Sequence, residues 1–184
     1  MNRDKALELV EQSVGNRNLV KHMIAVGAAM KELAHRLNGD PAVWEIAGLL
    51  HDIDYDITTA NFLRHGHLSY DIIIEKGLPQ EIAEAVRAHP AHEGFMPKDK
   101  FEWSLHIVDP LTGLIVAAAL MHPTKKIAPL DAEFILRRFY EKRFAAGANR
   151  EQIQLCEEKL GIALEEFISI VLNGMKGVAS ELGL

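Results

Sequence analysis

The residues best suited to chemistry lie in the segment "AGLLHDIDYD", residues 47–56, where an apolar run ends in one histidine and three aspartates. Leu49 and Leu50 indicate that the chain is buried up to this point. A carboxylate at a buried position costs free energy unless a cation or a hydrogen-bond donor compensates its charge. We therefore expect a divalent cation to lie against His51 and Asp52.

A further carboxylate, Asp109, interrupts the apolar run "LHIVDPLTGLIVAAAL" between Val108 and Leu111. The next residue, Pro110, has no backbone N–H to donate to the carbonyl of His106, so a helix here is expected to be kinked at the aspartate. An irregular backbone beside an inward-pointing carboxylate is suited to a metal site.

Histidine is frequent in this chain, with nine residues, and eight of them precede position 110. The only cysteine is Cys156, which excludes an internal disulfide and a zinc site made of cysteines. Nitrogen and oxygen ligands without thiolates suit Mn, Fe, Co, Ni or Zn. His35, His106 and His122 are expected to be ordinary core or surface residues.

The spaced set of His22, His51-Asp52 and Asp109 resembles the H…HD…D signature of the HD-domain superfamily of metal-dependent phosphohydrolases. The segments "GLLHDID", "AVRAHPAHEG" and "IVDPLTGLIVAAAL" resemble its HDIG-like subgroup, and the resemblance covers roughly residues 18–120. It implies an all-α fold in which these four side chains bind one metal ion.

Some members of the superfamily, including bacterial diadenosine-tetraphosphate hydrolases, hold a second metal through additional histidines. The resemblance places these at His65 and His89, with His67 and His92 as the alternatives. The expected cofactor is therefore a divalent transition metal (Mn, Fe, Co, Ni or Zn), with one or two ions per chain.

Asp52, Asp54 and Asp56 are the candidates for proton transfer or for support of the ligand histidines. Among the two that follow the ligands, Asp54 is preferred because it lies nearer to them in the sequence; the alternative for both is a role as turn residues. Asp54 stands where the subgroup has glycine and Val108 where alanine is more usual, and neither change removes a ligand.

A phosphorylated substrate needs cations, and several basic residues could supply them. The preferred candidates are Arg64, Arg87, Lys125 and Arg143, with Lys126, Lys142 and Arg150 as others. The alternative is that the basic residues after position 120 form a solvated face. Gly147 lies in a loop of small residues before a helix, and helix N-termini favour anions.

These features predict a phosphohydrolase that cleaves a phosphoester or phosphoanhydride bond of a small nucleotide-like substrate with metal-activated water. One alternative is a catalytically silent binding or regulatory module with the same fold, and another is a di-iron oxygenase of HD-like type. Phosphate release with Mn or Co, as opposed to oxygen consumption by redox-active iron, distinguishes them.

The totals restrict the partners. A net charge of −6 argues against general nucleic-acid binding, although a small phosphorylated ligand needs only a few cations. The N-terminus is too polar for a signal peptide, and the run "LTGLIVAAALM" has about half of the roughly 20 residues of a membrane span. We expect a cytoplasmic protein without a membrane partner, and a homodimer is left open.

Helices must position these residues, because the apolar periodicity is helical almost throughout. It predicts a single all-α domain over residues 1–184, with eight or nine helices. The motif-bearing core is expected over about 18–120, and the C-terminal helices, about 129–184, are expected to pack on it or to form an interface. Residues 55–65 are expected to be a loop.

Overall fold

The computed structural model describes residues 1–184, and all of its regular secondary structure is helical, which confirms the all-α prediction. The helices are α1 (Arg3–Ser13), α2 (Arg17–Leu37), α3 (Pro41–Leu50), α4 (Tyr55–Thr58), α5 (His67–Glu75), α6 (Gln80–Ala88), α7 (Lys100–Met121), α8 (Ala132–Tyr140), α9 (Arg150–Leu155), α10 (Leu164–Gly177) and α11 (Ala179–Leu182). A 3₁₀ turn (Phe62–Arg64) and a π-helical turn (Cys156–Leu160) complete the set.

Local signals set the ends of the helices that carry the site. The side chain of Asn16 accepts hydrogen bonds from the first turn of α2, and that of Asp40 does the same for α3. Asn38 ends α2 in the left-handed conformation, with a φ of 58°. Pro41 occupies the first turn of α3, where its missing N–H costs nothing.

Helices α2 and α3 form the centre of the bundle and cross at two glycines. A Cβ atom on Gly48 would lie 2.7 Å from the Cα and the backbone nitrogen of Gly27, so the two backbones are nearly in contact. Helices α7 and α10 pack on α2 from other sides. This close crossing brings His22 of α2 next to His51 at the end of α3, with 5.1 Å between their ring centroids.

One expectation about local structure was wrong. Residues 55–65 are not a plain loop, because they contain the single turn α4 and the 3₁₀ turn. Helix α7 continues through Pro110, and the kink expected at this point stays a prediction. The carbonyl of His106, which Pro110 leaves without its usual partner, accepts instead a hydrogen bond from Gln152 Nε2 of α9 at 2.5 Å.

Helix α7 is long and apolar enough to cross a membrane by length and composition alone, with a mean hydropathy of 1.6 over its most apolar window. In this structure 56% of that window is buried. The helix contacts α2, α3 and α6 on one side and α8, α9 and α10 on others. Its position in the bundle core accounts for its apolar composition.

Candidate metal centre

Six side chains from separate elements converge at the end of α3. Helices α2 and α7 each contribute one, the segment after α3 contributes two, and the residues before α5 and after α6 contribute one each. They are His22, Asp109, His51, Asp52, His65 and His89. They form two groups that share Asp52, and within the triads His22–His51–Asp52 and Asp52–His65–His89 the potential ligand atoms lie within 4.8 Å of one another.

The first group surrounds one oxygen of Asp52. Its Oδ2 lies 3.2 Å from His51 Nε2 and 3.7 Å from His22 Nε2. Asp109 Oδ1 closes the group at 3.0 Å from His22 Nε2 and 4.0 Å from His51 Nε2. Two imidazole nitrogens and two carboxylate oxygens therefore face a common point.

The second group surrounds the other oxygen of Asp52. Its Oδ1 lies 3.2 Å from His65 Nε2 and 3.4 Å from His89 Nε2. These two nitrogens are themselves 3.1 Å apart. Asp52 thus presents one oxygen to each group.

Backbone carbonyls fix the ring orientation of two histidines. His51 Nδ1 lies 2.8 Å from the carbonyl of Gly48, and His89 Nδ1 lies 2.5 Å from that of Val86. A carbonyl oxygen only accepts hydrogen bonds, so each Nδ1 carries a hydrogen and donates it. In the neutral rings the free lone pair is consequently on Nε2, which faces the centre.

Side chains fix the other two rings in the same way. His65 Nδ1 donates to Asp54 Oδ1 at 2.7 Å. The hydroxyl of Thr112 donates to the carbonyl of Asp109 at 2.9 Å, so its oxygen accepts a hydrogen bond from His22 Nδ1 at 3.3 Å. All four imidazoles therefore direct Nε2 into the site, as metal-binding histidines do.

These atoms fit a divalent cation, because without one their contacts are incomplete. His51 Nε2 is buried and has no hydrogen-bond partner. The Nε2 atoms of His65 and His89 are close enough that a proton or a metal ion must separate their lone pairs. Buried polar atoms of this kind are normally satisfied, so the site can hold a metal ion.

The electrostatics of these groups point in the same direction. Burial by itself would raise the pKa of Asp52, but the adjacent His51, together with His65 and His89, holds that pKa well below its usual range. Burial lowers the pKa of His89. Burial also opposes the charge on His65, yet hydrogen bonds to Asp52 and Asp54 raise its pKa to about 9. A proton then takes the place that a cation would occupy.

Asp54 lies behind the ligands, away from the cavity. It is fully buried, and its Oδ2 accepts hydrogen bonds from the backbone nitrogens of Gly66 and Ser69, each at 2.9 Å. Its other oxygen is taken by His65. Of the two roles predicted for Asp54, this position suits support of a histidine, whereas Asp56 is exposed and accepts from the backbone nitrogen of Gly15.

A cavity of about 490 Å³ opens onto five of the six converging side chains, and the sixth, His51, is fully buried behind them. Its lining also includes residues from α2, α4, the 3₁₀ turn, α7 and α9. The lining residues are Asn16, Leu19, His22, Asp52, Tyr55, Phe62, His65, His89, Pro90, His106, Asp109 and Gln152. The site is therefore accessible to a small molecule.

The four basic residues predicted to bind substrate do not line this cavity. The guanidinium group of Arg87 lies over the rings of Tyr70 and Phe95, 4.3 and 4.8 Å from their centroids. Arg64, Lys125 and Arg143 are exposed elsewhere. Their role in substrate binding stays a prediction from the sequence.

The alternative histidines lie outside the site. The rings of His67 and His92 stack on each other with 6.2 Å between centroids, and neither lines the cavity. It is His65 and His89 that reach Asp52, in line with the preference stated from the sequence.

Sequence reasoning assigned a site role to none of the seven other residues that line the cavity, and two of these form hydrogen bonds that shape its wall. His106, expected to be an ordinary histidine, lines the cavity, and its Nδ1 lies 2.6 Å from the carbonyl of His89. Its position three residues before Asp109 on a helix was the available signal, because such residues share a face. Gln152 carries no comparable signal, since it reaches the site only through the packing of α9 on α7.

Comparison with known proteins gives one match. A family model described as HD domain matches residues 19–142, about two thirds of the chain, and all six converging side chains fall within it. No curated protein and no solved structure matches the chain. The match concerns the family as a whole, so the HDIG-like subgroup stays a prediction.

Proposed function

The chain belongs to the HD-domain family, and we propose that it is a metal-dependent phosphohydrolase that cleaves a phosphoester or phosphoanhydride bond of a small nucleotide-like substrate. HD domains are typical of metal-dependent phosphohydrolases, and a buried cluster of histidine and aspartate that can bind metal is present. The observation that carries the proposal is Asp52, whose two oxygens face separate histidine pairs.

Two adjacent sites would hold the metal. His22, His51, Asp52 and Asp109 would bind one divalent ion, and Asp52, His65 and His89 a second. We propose Mn, Fe, Co, Ni or Zn, because nitrogen and oxygen ligands without thiolates suit these ions. When bound, such an ion lowers the pKa of its water toward neutrality and stabilises charge on phosphate oxygens.

The protein's own residues would orient these ligands and enclose the substrate. Hydrogen bonds at Nδ1, from His51 to Gly48 and from His65 to Asp54, keep each ring in one orientation. Tyr55, which lines the cavity with its ring centroid 5.4 Å from that of His65, would shield the reacting phosphate from bulk water. The proposed partner is thus a small phosphorylated molecule.

The test is to measure bound metal and phosphate release together. The protein, purified without chelators or a histidine tag and loaded with Mn or Co, is assayed beside Asp52→Asn and Asp71→Asn. Asp71 is an exposed residue of α5, so its variant makes the same charge change away from the site. We expect Asp52→Asn to lose at least about 100-fold in phosphate release, and Asp71→Asn to match the wild type.

Absence of bound metal after loading, or wild-type activity in Asp52→Asn, would contradict the proposal. Oxygen consumption by the iron-loaded protein without any phosphate release would instead favour the di-iron oxygenase.

A further inference from the structure

The part of the cavity wall that is formed by residues other than the metal ligands contains no lysine or arginine. Apart from the carboxylates of Asp52 and Asp109, the cavity has no lysine, arginine or further acidic residue in its lining. Its remaining residues other than the ligands are polar and uncharged, aromatic or aliphatic, or the single histidine of α7. These are Asn16, Leu19, Tyr55, Phe62, Pro90, His106 and Gln152.

The guanidinium groups of Arg150 and Arg87 are used in other contacts, and neither residue lines the cavity. Arg150 donates from its side chain to one backbone carbonyl near the end of α8 and to three in the segment between α8 and α9. The acceptors are Phe139, Phe144, Ala145 and Ala148. Arg87 lies over the rings of Tyr70 and Phe95. An anionic group at this wall would therefore have no lysine or arginine of the lining as its partner.

His106 and Gln152 instead provide hydrogen-bonding groups. The Nδ1 of His106 donates to the carbonyl of His89 at 2.6 Å, so in the neutral ring its Nε2 is an acceptor. Gln152 Nε2 donates at 2.5 Å to the carbonyl that Pro110 leaves free, which fixes the carboxamide at the cavity edge. Gln152 also lies beyond residues 19–142, so the wall is completed from outside the matched domain.

Resting on the proposed function, we infer that the substrate is a phosphomonoester whose organic group is uncharged, has an apolar or flat part and carries a hydroxyl or amino group. The phosphate would be held at the metal ligands, the apolar part against Leu19, Tyr55 and Phe62, and the polar group at His106 and Gln152. A second anionic group on the organic part would find no lysine or arginine among the lining residues, so esters with an acidic organic part would bind more weakly.

The first test compares two phosphate esters of similar size whose organic groups differ in charge. Binding of 4-(hydroxymethyl)phenyl phosphate and of 4-carboxyphenyl phosphate to the Mn-loaded full chain is measured by calorimetry, with phosphate release followed in parallel. We expect the hydroxymethyl compound, whose organic group is uncharged, to bind at least about tenfold more tightly. Equal or tighter binding of the carboxylate, or no binding of either compound, would overturn the inference.

The parallel assay separates this inference from the proposed function. If the hydroxymethyl compound binds preferentially but neither compound releases phosphate, the proposed hydrolase function fails and the ligand preference stands. If both are hydrolysed with equal affinity, the function stands and the inference fails.

A charge-switch variant tests the wall directly. Gln152→Lys adds a cation to the wall. We expect the ratio of the two affinities, which favours the hydroxymethyl compound, to fall about fivefold, because one screened ion pair contributes about that much to binding. Gln154→Lys adds the same charge at an exposed position of α9 and is expected to leave the preference unchanged. Leu19→Lys, at another partly exposed lining position, provides an independent second variant. An unchanged preference in both cavity variants, with metal content intact, would refute the inference.

Discussion

Asp54→Asn tests whether the tautomer of a ligand histidine is set from behind the site. In the native protein Asp54 accepts hydrogen bonds from His65 Nδ1 and from the backbone nitrogens of Gly66 and Ser69. The oxygen of an asparagine can keep the two backbone bonds. Its NH₂ group must then face His65 Nδ1, and two donors cannot bond to each other.

A change in the tautomer of His65 removes this conflict between two donors. If Nδ1 of His65 becomes the acceptor, the hydrogen moves to Nε2, which points at Asp52 and is then no longer free to bind a cation. We expect metal affinity at the second group to fall about 10- to 100-fold, as for other losses of support behind a ligand. The free energy of unfolding of the metal-free protein should fall by only about 1–2 kcal/mol, because a charge-assisted bond becomes a neutral one.

The assay combines metal titration, denaturant unfolding in the presence of a chelator, and ¹⁵N NMR of the histidine rings. Asp56→Asn is the matched control, since it makes the same charge change at an exposed neighbour. Asp54→Ala should be worse for stability, by more than about 3 kcal/mol, because it leaves three buried donors unpaired. Wild-type metal affinity in Asp54→Asn, or a neutral His65 ring whose hydrogen is still on Nδ1, would refute this reasoning.

Two other predictions concern packing and reactivity. Gly48→Ala should destabilise the fold by about 3 kcal/mol, because its Cβ would meet the backbone of Gly27 at 2.7 Å. Gly113→Ala, whose Cβ has nothing within 4 Å, should instead stabilise α7 by up to about 1 kcal/mol. Equal unfolding midpoints of the two variants would contradict both expectations. Burial, with a contribution from Glu157, raises the pKa of the Cys156 thiol to about 11, so at pH 8 only about a thousandth is thiolate and Ellman's reagent should react slowly until urea unfolds the chain. Prompt modification of the native protein would show that the thiol is accessible.

Much of the fold could be predicted from the sequence because its signals are local. The caps at Asn16 and Asp40 and the first-turn Pro41 depend on neighbouring residues alone, and they set the helices that end at the site. Residues 55–65 were mispredicted because single helical turns carry no apolar period long enough to be recognised.

The sequence by itself determined which residue types were available for a metal site, through the spacing of His22, His51-Asp52 and Asp109. It also showed that Pro110 leaves a carbonyl in α7 without its usual partner. The first conclusion rests on the resemblance to the HD-domain signature, and the second follows from the covalent structure of proline.

Only the tertiary structure decided how the two oxygens of Asp52 are shared between histidine pairs, and that Gln152 satisfies the free carbonyl of His106. It also decided that Arg87 and Arg150 are used in packing and turn formation, and that no lysine or arginine lines the cavity. The physical reason is that these contacts join helices far apart in the chain. Several histidine and basic side chains could have taken the same role on local grounds, and the packing of the helices determined which of them lie at the site.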